Sequence, residues 1–109
     1  MTRISIALLN YENGGLGPDG YDFRPLQRAF ADVAEPPALI LFCEAKQYRD
    51  SGCRGLHMAA EALSDALGVP YVGLLGWMRR GPLPLAIFYN PALLTLRSWW
   101  HPDDPGVYD

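Results

Sequence analysis

The stretch from Ala38 to Tyr48 reads ALILFCEAKQY, an unbroken apolar run that ends on one carboxylate, Glu44. Pro36-Pro37 precedes it and charged residues follow. An apolar run bounded in this way predicts a strand buried on both faces. A carboxylate at the carboxyl end of such a strand stands where open α/β sheets place their chemistry. The rest of the chain is therefore read as support for Glu44 or as its partner.

On the N-terminal side, Arg3 to Asn10 is rich in isoleucine and leucine and predicts a first strand. The glycines of NYENGGLGPDG supply positive-φ positions that end it. Arg24 to Ala34 predicts a helix with Pro25 in its first turn, where proline is tolerated. Leu26, Ala29, Phe30 and Val33 would share its buried face. On the C-terminal side, a polar loop leads to a second helix from Arg54 to Leu67, striped by Leu56, Ala59, Ala60, Leu63 and Leu67. Gly68 and Pro70 stop it. Tyr71 to Trp77 and Leu83 to Tyr89 predict strands joined by MRRGP, and Leu93 to Trp100 predicts one more after the Asn90-Pro91 turn. The tail from His101 carries no pattern.

The order β-α-β-α-β-β-β, without repeat or linker, is an α/β fold: a mixed sheet with two helices on one face. Two helices cover only one face, yet strands such as ALILF and LPLAIF are apolar on both. The other face requires a further layer, so residues 1–109 are expected to form a single partial domain, half of something larger.

Composition narrows the class. In 109 residues half are hydrophobic and 19% charged, which excludes disorder. A formal charge of −3 offers no general electrostatic case for nucleic-acid binding, though it does not exclude an enzyme acting on one. No apolar run approaches a membrane span, and the N-terminus lacks the pattern of a secretory signal. A cytoplasmic protein without membrane contact is expected, with Cys43 and Cys53 as free thiols. His57 and His101 have no partner at ligand or nucleophile spacing, and Trp77, Trp99 and Trp100 read as packing residues.

Asn10 and Glu44 end the first two strands. If these strands are parallel neighbours, both side chains emerge at one edge of the sheet. An amide oxygen and a carboxylate suit a hard cation such as Mg²⁺ (or Mn²⁺), which takes oxygen ligands and polarises a phosphoryl oxygen or activates water. The competing reading makes Asn10 a turn cap and Glu44 a solvated loop residue. Lys46, Arg79 and Arg80 are candidate phosphate contacts, the arginines reading equally as a solvated hairpin tip. Gly15 to Gly20, GLGPDG, matches the dinucleotide-binding fingerprint with Glu44 as its later acid. However, NYEN separates the strand from the glycines, and Asp22 to Pro25 delays the helix that should meet a pyrophosphate.

RISIALLNYENGG, ALILFCEAKQY and LPLAIFYNPALLTLRSWW together resemble the N-terminal portion of the endonuclease/exonuclease/phosphatase family. The family's first motif is a strand ending in Asn, matched by Asn10. Its second ends in an acidic metal ligand, matched by Glu44, with Cys43 where Gln is usual. The resemblance implies a metal-dependent phosphoesterase that hydrolyses phosphodiesters or phosphomonoesters, nucleic acid being one substrate class. It also implies half of a four-layer α/β sandwich, in which a second sheet covers the open face. The family further uses a catalytic His, a Gly-Asp-x-Asn segment and an Asp-His pair, none of which this sequence contains. A hydrolase fragment, inactive alone, is the expectation. The alternatives are a non-catalytic interaction module that buries its open face in a homo-oligomer or a partner, and, behind it, a dinucleotide-binding domain.

Overall fold

The structure, a computed structural model, describes residues 4–43, 45, 47–48, 52–76 and 85–97. Strand β1 (Ile6–Leu9) leads through a 3₁₀ turn (Glu12–Gly15) into a small hairpin, β2 (Leu16–Gly17) and β3 (Gly20–Tyr21). Helix α1 (Arg24–Phe30), β4 (Leu39–Phe42), α2 (Arg54–Leu67), β5 (Val72–Leu75) and β6 (Ala86–Tyr89) follow. The main sheet has the order β1-β4-β6-β5. β1 runs parallel to β4, whereas β6 is antiparallel to both β4 and β5. It is the mixed sheet that the strand order implied.

The register separates the two faces. On one face lie Ala7, Ile40, Phe88 and Gly73 in one row and Leu9, Phe42, Ala86 and Leu75 in the next. Ile40, Phe42, Ala86 and Phe88 are fully buried there, beneath Leu26 and Phe30 of α1 and Leu56, Ala59, Ala60 and Leu63 of α2. Gly73 lets α2 approach, since a Cβ there would lie 3.0 Å from Leu56 Cγ. The opposite face carries Ile6, Leu39, Tyr89 and Val72, then Leu8, Leu41, Ile87 and Leu74. These eight residues are apolar or aromatic in two continuous cross-strand rows, and Ile6 and Leu8 are 63% and 67% exposed. Among the described residues, both helices pack on the other side.

Helix α2 has the expected bounds and stripe, with Gly68 closing it in the left-handed region and donating to the Ser64 carbonyl at 2.9 Å. Three expectations fail. Helix α1 ends at Phe30, where the Ala31 and Val33 amides bond three residues back and the last turn tightens. Ala29 is consequently exposed, Val33 is 38% exposed, and only Leu26 and Phe30 anchor the helix. Residues 16–21, read as loop, pair as a hairpin around Pro18-Asp19. Residues 93–97 form no strand. Both edges of β6 are already taken by β4 and β5. The Asn90 carbonyl accepts the amides of Leu93 and Leu94, and its Oδ1 accepts that of Ala92 at 2.9 Å, so the chain coils into a turn. Residues 98–100 lie outside the described residues.

Candidate functional site

The parallel pair β1 and β4 builds the edge that matters. Leu9 stands opposite Phe42, and the Cys43 amide donates to the Leu9 carbonyl at 3.0 Å. The two strands thus end level, and Asn10 and Cys43 leave the sheet side by side. Asn10 is exposed at this edge. Glu44 is the next residue of the chain after Cys43 but lies outside the described residues, as do Lys46, Arg79 and Arg80. Of the five sequence-predicted site residues, the structure therefore describes Asn10 alone.

Behind this edge sits an aromatic cluster that periodicity does not reveal. The Tyr48 ring is completely buried and packs against Phe42 and Tyr21, with ring centroids 6.5 and 5.8 Å apart. Its hydroxyl donates to the Gly14 carbonyl at 2.7 Å. Tyr11 packs on Phe42 and Phe23 and donates to the Asp22 carbonyl. Tyr21 lies flat against Phe23 and donates to the Gln47 carbonyl at 3.0 Å. Burial pushes the Tyr48 phenol well above its ordinary range, with smaller contributions from Tyr11 and Tyr21. Tyr48 is therefore a neutral donor at every physiological pH, a structural hydroxyl and not a base. The only sequence signal for the cluster is the concentration of tyrosine and phenylalanine in segments otherwise read as loops, Tyr11 to Phe23 and Gln47-Tyr48.

The glycine run serves this cluster. Gly14 and Gly15 have φ of +61° and +88°, and a Cβ on either would lie 2.7 Å from a tyrosine ring, of Tyr48 and Tyr11 respectively. Gly17 and Gly20 close the hairpin, and α1 begins at Arg24, so the glycines do not open a helix. That geometry differs from the strand–glycine–helix turn of a dinucleotide fingerprint.

A groove of about 640 Å³ separates the hairpin from α2, lined by Asp19, Asp22, Arg24, Gln27, Glu61 and Asp65 among others. Asn10 is not part of its wall. Arg24 forks onto Asp22, with Nε–Oδ1 and Nη2–Oδ2 distances of 2.9 Å, and its amide bonds the same carboxylate at 3.0 Å. These hydrogen bonds hold the Asp22 carboxyl down at about 2. Among the described residues, no three His, Cys, Asp or Glu side chains converge as a metal site. Of the two candidate cation donors, Asn10 and Glu44, the structure describes Asn10.

Among the described residues, no helix is long and apolar enough to cross a membrane. Comparison with protein-family models, curated proteins and solved structures finds no match to this chain.

Proposed function

We propose that this chain is the first-sheet portion of a metal-dependent phosphoesterase of the endonuclease/exonuclease/phosphatase type, inactive by itself. Asn10 and Glu44 would hold Mg²⁺ or Mn²⁺, and Lys46, Arg79 and Arg80 would contact the phosphate ester, nucleic acid being one substrate class. The observation that carries the reading is the level, parallel ending of β1 and β4, which brings Asn10 and Cys43, the residue before Glu44, out of the same sheet edge. The bound cation supplies charge stabilisation at phosphorus and a more acidic water. The chain's own part is to present oxygen donors from two rigid strands, the precision that phosphoryl chemistry needs. Mn²⁺ titration of the purified chain, followed by paramagnetic broadening of its amide signals, tests this. Broadening should centre on Asn10 and Cys43 and disappear in Glu44→Gln. Uniform or absent broadening in a folded sample would sink it.

The open sheet face favours a second reading, a non-catalytic module that buries this face against a second copy of the chain. Size weighs against it as the main one. Four strands of four residues project roughly 250 Å² at ordinary strand spacing and rise. A stable interface buries about 800 Å² on each partner. Accessible area exceeds this projection, yet about twice the figure still falls short of a standard interface, so the face is suited to a further layer of one fold, as the phosphoesterase reading requires. Sedimentation equilibrium separates the two: a concentration-dependent dimer would promote the second reading, and a monomer would remove it.

A further inference from the structure

We infer that Tyr48 is the positioning residue of the candidate metal edge, the side chain that fixes the segment after Asn10 against the segment after Glu44. The inference rests on the phosphoesterase reading. Gly14 belongs to the 3₁₀ turn that begins two residues beyond Asn10, and Tyr48 lies four residues beyond Glu44. The hydroxyl bond of 2.7 Å between them bridges 34 residues of chain and is buried.

Each end of this bond is itself held. The Gly14 amide donates to the Tyr11 carbonyl at 2.9 Å, and the Tyr48 amide donates to the carbonyl of fully buried Ala45 at 3.1 Å. The Cys53 amide donates to the Tyr48 carbonyl at 2.8 Å, which ties the same segment to the start of α2. The Tyr48 ring is also clamped from two sides, since a Cβ on Gly14 or Gly55 would lie within 2.7 Å of it. Cys43 is thus held to β1, and Ala45 to Tyr48. Groups that hydrogen-bond metal ligands directly commonly carry a tenfold or larger share of metal affinity; Tyr48 would act one step further out, through the backbone that follows Asn10.

The molecule contains its own control. Tyr71, also buried, donates to the Pro37 carbonyl at 2.7 Å across an equal 34 residues, but at the amino end of β4. Tyr48→Phe and Tyr71→Phe each delete one buried phenol bond, at opposite ends of the strand. Mn²⁺ affinity, read from broadening at Asn10, Cys43 and Ala45, should fall about tenfold in Tyr48→Phe and stay within about twofold of the unmodified chain in Tyr71→Phe. Equal weakening in both would reduce Tyr48 to a general stabiliser and overturn the inference, as would unchanged affinity in Tyr48→Phe. Absence of localised broadening in the unmodified chain would overturn the phosphoesterase reading itself, and this inference with it.

Should Tyr48→Phe not fold, the unmodified chain gives the answer by linkage. Saturating Mg²⁺ should slow hydrogen exchange at the Cys53 and Gly14 amides relative to amides of the hairpin. Exchange that does not respond to Mg²⁺ at these two positions would refute the coupling.

Discussion

Gly55 sits in the first turn of α2, where alanine would ordinarily be the better helix former by up to about 1 kcal/mol. Its Cβ, however, would lie 2.5 Å from the Tyr21 hydroxyl and 2.6 Å from Tyr48 Cδ1. Both rings are fixed by hydroxyl bonds to backbone carbonyls and cannot retreat cheaply. Overpacking of this kind costs about 1–3 kcal/mol, so Gly55→Ala should lower the urea midpoint despite its helix propensity. Gly73→Ala should cost less, because its contacts begin only at 3.0 Å, on Leu56 Cγ, with the Phe88 ring at 3.1 Å. A different residue-scale effect belongs to Asp22. Its folded pKa of about 2 lies below the ordinary carboxyl value, so its contribution is complete above about pH 4. The contribution then fades as pH falls towards 2. The stability difference between the native chain and Arg24→Ala should accordingly be flat from pH 6 to 4.5 and close by pH 2, as urea titrations at each pH would show. Neither the Gly55–Tyr48 contact nor the Arg24–Asp22 fork is legible in the sequence. The first joins segments with no shared periodicity, and the second depends on where a helix begins.

Helix α2 and strand β5 are joined by one hydroxyl. Ser64 Oγ donates to the Ala60 carbonyl at 2.7 Å and accepts the Tyr71 amide at 3.0 Å, just before β5 begins. Ser64→Ala would leave the amide of a buried residue without this partner, at a cost of about 1–3 kcal/mol. A lowered denaturation midpoint with accelerated exchange confined to Tyr71 and its neighbours would confirm it. At this scale the sequence is most readable where a pattern is long: α2 has a stripe and a glycine stop, and its bounds follow from them. Short elements are harder to read. Helix α1 offers only seven residues. The hairpin of residues 16–21 is set by turn chemistry and not by alternation. The expected strand after Asn90 has suitable leucines but no open edge beside β6 on which to pair. Pairing is a property of the sheet, and a local window does not contain it.

Among the described residues, the molecule is a sheet with two helices on one face and none on the other. Runs that are apolar at every position, such as ALILF and LPLAIF, carry this in the sequence itself, because a one-sided sheet should alternate. The site is not carried in the same way. Its edge arises from the pairing of β1 with β4, and four of its five candidate residues fall outside the described residues. The two faces should respond very differently to substitution. Phe42→Ala, at a fully buried position, should cost about 3–5 kcal/mol. Leu8→Lys, at a position 67% exposed, should stay within about 0.5 kcal/mol of the native chain while removing any tendency to self-associate. Thermal melts paired with sedimentation at high concentration would check both. The open face also has a calorimetric consequence. The heat capacity of unfolding comes chiefly from apolar surface newly wetted as the chain opens, about 12–15 cal/mol/K per residue in ordinary domains. Here Ile6, Leu8 and Val72 of that face are already exposed in the folded state, so their hydration adds little on melting. The isolated chain should fall below that range, with a flattened stability curve, and a layer that seals the face should restore the missing heat capacity.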